Sequence, residues 1–98
     1  MNGSRGGLPR HFYVFGGPLG GTMRSVKAGV TSYRHIDRSR PGSPVFTYVL
    51  IEEPGGTFAF VPEDDDDLRQ AFLSASGEPG DRETETLSVE IQRRGLDF

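Results

Sequence analysis

The segment Val45-Phe46-Thr47-Tyr48-Val49-Leu50-Ile51 constrains the fold of this chain more than any other. It is apolar on both faces of an extended backbone and rich in β-branched residues, so it predicts a strand lying centrally in a sheet. Pro54-Gly55-Gly56 then supplies a tight reversal. Proline presets the corner, and glycine takes the positive φ that such turns need. Thr57-Phe58-Ala59-Phe60-Val61 runs back as the partner strand, and Pro62 stops it.

Other segments arrange themselves around this hairpin. Arg10-His11-Phe12-Tyr13-Val14-Phe15 predicts a first strand, ended by Gly16-Gly17-Pro18. Residues 22–27 alternate weakly and fit a short edge strand, and Thr31 to Ile36 gives a third candidate. Asp37 to Pro44, rich in Arg, Ser, Pro and Gly, reads as an exposed loop. Leu68, Ala71, Phe72 and Ala75 recur at i, i+3, i+4 and i+7, one apolar face of a helix with Phe72 in the core. Asp64 is placed to cap that helix, and Gly77, Pro79 and Gly80 to end it. Thr86 to Gln92 alternates with Leu87, Val89 and Ile91 on one side, which predicts a last strand with one wet face. The expected fold is α+β: a mainly antiparallel sheet of about five strands with one helix, residues 64–75, packed on one face. Residues 1–9 read as a disordered leader, 10–94 as a single domain and 95–98 as a tail.

Only 34% of the 98 residues are apolar, so the core must lean on seven Phe and three Tyr. With strands outnumbering helices, both faces and both edges of the sheet can hardly be covered, leaving Phe12, Phe15 and Phe98 partly exposed. The absence of cysteine excludes disulfides, thiolate metal sites and cysteine nucleophiles. Together with the lack of an apolar leader or a membrane-length run, it points to the cytoplasm and away from the membrane.

Charge is sharply divided along the chain. Residues 1–44 carry seven Lys or Arg against one acid, a net of +6, whereas residues 45–98 carry four Arg against thirteen acids, a net of −9. Two such halves either neutralise each other within one molecule or present opposite faces to partners.

The glycine segment Gly16-Gly17-Pro18-Leu19-Gly20-Gly21 has the five-residue glycine offset of a phosphate loop. Thr22 and Met23 stand where the lysine should follow, and no helical pattern comes after, so a turn with glycines at special φ/ψ values is the better reading. Phe12 through Gly21 resembles the opening of small uncharacterised proteins of phages, prophages and bacterial genomes, in which a strand leads into Gly-Gly-Pro-Leu-Asp-Gly. Gly20 stands here where those proteins carry Asp. The resemblance implies an accessory role and brings no activity with it.

The acidic run Glu63 to Asp67 does not make a calcium loop. Counted from Asp64, the sixth position is Arg69 and the twelfth Ala75, where glycine and glutamate are needed. Capping of the helix accounts for part of the run, and Asp64, Asp65, Asp66 and Asp67 together suit a basic partner. Arg24, Lys27, Arg34 and Arg38, with Tyr33 among them, suit a polyanion or an acidic surface. No serine elbow or zinc-binding His-Glu-x-x-His appears, and adjacent Glu52 and Glu53 point to opposite faces of a strand. No catalytic, cofactor-binding or metal-ligating residue is therefore assigned. The expected function is a non-catalytic protein-interaction or accessory module that binds another protein or itself. The rival is a weak nucleic-acid binder using the basic 24–40 segment, which the −9 half disfavours.

Overall fold

Four residues, 28–31, join the second strand of the sheet to the third, although these two strands lie on its opposite edges. The computed structural model describes residues 9–75 and 81–96. The first eight residues of the expected leader, the Gly77-Pro79-Gly80 helix stop, and Asp97 and Phe98 lie outside them. The elements are β1 (Pro9–Val14), β2 (Met23–Lys27), β3 (Ser32–Ile36), β4 (Val45–Glu52), β5 (Phe58–Pro62), α1 (Asp65–Ser74) and α2 (Arg82–Arg93). Strand order is β2-β1-β5-β4-β3. β1 runs parallel to β5, and the other three pairings are antiparallel.

A flat sheet would put the edge strands about 19 Å apart, four spacings of ~4.8 Å. The linker carries a turn in which Val30 N–H donates to the Lys27 carbonyl at 3.2 Å. A turn spans less than about 7 Å, and the two further steps to Ser32 add at most ~7 Å. The sheet must therefore curl. Its inner face gathers Val14, Leu19, Val26, Tyr48 and Phe60, with Phe12, Val30, Tyr33, Phe46 and Leu50 packed around them. Phe60 lies 5.9 Å from the Phe12 ring and 6.1 Å from that of Tyr33, so residues from both halves of the sheet meet on it.

The outer face carries a second core. Phe15, Ala59 and Val61 from the sheet side pack with Leu68 and Ala71 of α1 and Leu87 and Ile91 of α2. Phe15, expected to be partly exposed, is thus buried, and Phe12 is half-buried. Phe72 lies at the margin of this cluster and is half-buried. Leu96 also packs against it, its N–H bonded to the Ile91 carbonyl. The Asp64 carboxylate accepts from Asp67 N–H at 3.0 Å, the cap expected of it.

One expected strand is a helix. Thr86 to Gln92 belongs to α2, so two helices, not one, share the outer face. Leu87 and Ile91 are four residues apart, a spacing that puts them on one side of a strand and on one face of a helix alike. The flanks decide it. Asp81 caps the helix through Thr84 N–H at 3.0 Å, and Glu83 and Glu85 in the first turn and Arg93 in the last suit the helix dipole. Thr86, Leu87, Glu90 and Ile91 are the buried positions, a helical set.

α2 is locked to the sheet by one buried carboxylate. Glu53, 3% exposed, accepts from Thr57 Oγ1 at 2.7 Å, from Arg82 Nε at 2.6 Å and from Thr86 Oγ1 at 3.2 Å. The Arg82 guanidinium also lies 4.7 Å above the Tyr13 ring. Glu52, by contrast, is exposed, and its carbonyl accepts from Arg93.

Leu87 is fully buried and Phe72 is not, which ranks two truncations. Leu87→Ala is expected to cost about 2–5 kcal/mol in urea unfolding, and Phe72→Ala less. The reverse order would place α2 outside the core.

Candidate functional site

The glycine segment joins β1 to β2, and its shape follows from what crowds it. Gly16 and Gly17 have φ of 82° and 66°, in the left-handed region that favours glycine. A Cβ at Gly16 would lie 2.3 Å from the Ala71 Cβ of α1, and one at Gly17 would lie 2.5 Å from the Phe46 ring. The loop is held from below by Tyr48, whose hydroxyl donates to the Gly16 carbonyl at 2.8 Å and accepts from Leu19 N–H at 3.0 Å. Burial pushes the Tyr48 hydroxyl up to about 12, so it keeps its proton and remains a donor. The special φ values expected of the glycines are present, and they allow close approach to helix α1 at Gly16 and to the Phe46 and Tyr48 side chains of β4 at Gly17.

Between this loop and the two helices lies a cleft of about 470 Å³. Glycines 16, 17, 20 and 21 form one wall and Phe46 another. The helical side presents Asp67, Gln70 and Ser74 of α1, one face by their spacing, and Glu83 of α2. Neither Asp67 nor Glu83 forms an ion pair among the described residues, and both are half-buried. Burial raises the Asp67 carboxyl above its ordinary range, and the neighbouring charges of Asp64 and Asp66 push it further. A second cleft of about 430 Å³ adjoins the first, sharing Gly17, Phe46 and Asp67 and adding Asp37, Arg40 and Val45.

The four aspartates of the run have different roles. Asp64 is the cap, Asp65 pairs with Arg94 at 3.1 Å, and exposed Asp66 pairs with Arg69 at 3.0 Å. Asp67 alone of the four looks into the cleft without a cation. On the basic side, Arg24 and Lys27 lie on β2, Arg34 on the opposite edge strand β3, and Arg38 in the exposed 37–44 loop. Arg24 pairs in register with Phe12 of the inner face, whereas Arg34 pairs with Thr47 of the outer face, so the four do not line one groove. The Arg24 Nε is buried without a hydrogen-bond partner. Tyr33 packs on Phe60 inside the sheet and offers no free ring for base stacking.

Every ion pair among the described residues lies within residues 53–94. None of Arg24, Lys27, Arg34, Arg38 or Arg40 forms a salt bridge with the described residues of the acidic half. Among the described residues no three His, Asp or Glu side chains converge as a metal site, and no helix is long and apolar enough to cross a membrane. Glu83 and Phe46 escaped the sequence reading, Glu83 because its segment offered no helical pattern until Asp81 and Thr84 are recognised as a cap. No family model, curated protein or solved structure matches the chain.

Two carboxylates of opposite behaviour give a pH test. The folded state raises the Asp67 pKa, so its charge is unfavourable above that value, and Asp67→Asn should raise the melting temperature at pH 7, measured at a dilution where the chain is monomeric. The Arg82 hydrogen bond, aided by Thr57, holds Glu53 below its ordinary 4.5. Its contribution is present above 4.5 and lost as pH falls through the lowered folded value, so Glu53→Gln should cost about 1–3 kcal/mol at neutral pH. Both differences should shrink as pH falls, that of Asp67→Asn toward the ordinary 3.8 and that of Glu53→Gln through the lowered folded value. A lower melting point for Asp67→Asn at pH 7 would contradict this assignment.

Proposed function

We propose that the domain is a non-catalytic protein-interaction module that associates with a second copy of itself or docks on a larger assembly. One observation carries this reading: among the described residues, the cations of residues 24–40 and the acids beyond residue 45 form no salt bridge with each other. Charges left unpaired in this way are free to recognise opposite charge on another surface. The resemblance of Phe12–Gly21 to small phage and prophage proteins accords with an accessory role, and the cysteine-free composition with a reducing cytoplasm.

Nucleic-acid binding fits the basic segment less well. Arg24, Lys27, Arg34 and Arg38 are divided between two faces and two edges, and acidic Asp67 shares a cleft with Arg40. A polyanion meets repulsion at that end of the molecule.

Light scattering at rising concentration tests the reading. At low salt the mass should exceed the 10.7 kDa of one chain, and near 1 M salt, where the screening length falls to about 3 Å, it should return to that value. A mass of 10.7 kDa under every condition would remove self-association and leave only a foreign partner. A salt-sensitive shift of labelled single-stranded or duplex DNA, lost in Arg34→Ala with Arg38→Ala, would favour the nucleic-acid reading instead.

A further inference from the structure

Asp67 and Glu83 line a cleft at one end of the sheet, and the loop of residues 37–44 projects from the same end. This loop is held in shape by its own bonds. Asp37 N–H donates to the Pro44 carbonyl at 2.9 Å, Ser39 N–H to the Asp37 carboxylate at 3.1 Å, and Ser43 N–H to the Arg40 carbonyl at 3.1 Å. Arg38 and Arg40 stand exposed on it, and at its base Ile36 and Val45, paired in register, are 45% and 58% exposed. Within one molecule Gly17, Phe46 and Asp67 line both this cleft and the adjoining one, which Arg40 also lines, yet Arg40 and Asp67 form no salt bridge there.

We infer that the 37–44 loop of one copy enters the glycine-loop cleft of a second copy, setting Arg38 and Arg40 against Asp67 and Glu83. This assignment rests on the self-association reading and names the surfaces that perform it. The charges complement each other: two cations on a preformed loop and two half-buried carboxylates in a cleft with an aromatic wall, none of the four in a salt bridge among the described residues. Because donor loop and acceptor cleft share one end of the molecule, a two-fold axis near Val45 lets each copy give its loop and receive its partner's. The contact is then made twice and closes as a dimer. Ile36 and Val45 of each copy form the apolar centre between the two charged contacts, the arrangement of a desolvated middle with a polar rim.

A charge swap tests the pairing. One variant carries Arg38→Glu and Arg40→Glu, and the other Asp67→Lys and Glu83→Lys. Either alone sets like charges together at both contacts and should sediment as a monomer, whereas an equimolar mixture has both contacts attractive and should recover the dimer. Circular dichroism checks that each is folded. Should the lysine variant not fold, Asp67→Asn with Glu83→Gln serves in its place, and is expected to weaken the wild-type dimer by about tenfold. A mixture that remains monomeric, or reversed variants that still dimerise as the wild type does, would overturn these surfaces while leaving a self-associating wild type intact. A wild type that is monomeric at every concentration would overturn the self-association reading with them.

Discussion

The link between β2 and β3 is too short for a flat sheet, and much else in the molecule follows from that. Strands on opposite edges, joined by four residues of which the first belong to a turn, draw the edges toward each other. Curling gives the sheet an interior of its own, filled by Phe60 with Phe12 and Tyr33 on either side. Its outer face is then left to two short helices, which pack over Ala59 and Val61 near the middle. The outward side chains of the edge strands, Met23, Ser25 and Lys27 on β2 and Ser32, Arg34 and Ile36 on β3, remain exposed. A chain with 34% apolar residues thus builds two small cores in place of one large one.

Tyr48 connects this architecture to the candidate site. Its ring belongs to the inner core and packs 4.8 Å from Phe46, while its hydroxyl bridges two backbone groups of the glycine loop. Leu19, buried in the same core, pins the far side of the loop. Gly16 then meets Ala71 at a distance that admits no side chain, and the cleft is what remains between that contact and the first turn of α2. Its carboxylates are supplied by helix starts, where acids are favoured by the dipole, so Asp67 and Glu83 are cheap to keep even without a cation. For Asp67, burial and then the crowding by Asp64 and Asp66 outweigh that benefit.

Strands β1, β4 and β5 were legible because their composition is aromatic and β-branched and each stops at or near glycine or proline: Val14 before Gly16-Gly17-Pro18, Ile51 before Pro54-Gly55-Gly56, and Val61 before Pro62. Helix α1 was legible through Leu68 and Ala71 and its cap Asp64. Helix α2 was not, since Leu87, Val89 and Ile91 satisfy a period of two, and the Glu53–Arg82 contact that fixes the segment as a helix start joins residues 29 apart. The parallel pairing of β1 with β5 likewise depends on long-range closure that no local pattern encodes. At the site, the division of charge could be read directly, but its internal settlement could not. Asp65 and Asp66 are taken up by Arg94 and Arg69, and only the packing of α1 against the glycine loop singles out Asp67.

The curled sheet, through the Tyr48 hydroxyl, holds the glycine loop in the form that makes the cleft. Amide hydrogen exchange on Tyr48→Phe tests it most directly, because the ring stays and only the hydroxyl goes. Leaving the buried Leu19 N–H unpaired costs about 1–3 kcal/mol, roughly a tenfold or greater gain in its exchange rate. The amides of Phe15 and Leu50, bonded to Phe60 and Thr31, should keep their protection. If Leu19 in Tyr48→Phe exchanges as slowly as in the wild type, the loop is held by something other than Tyr48 and the account is wrong.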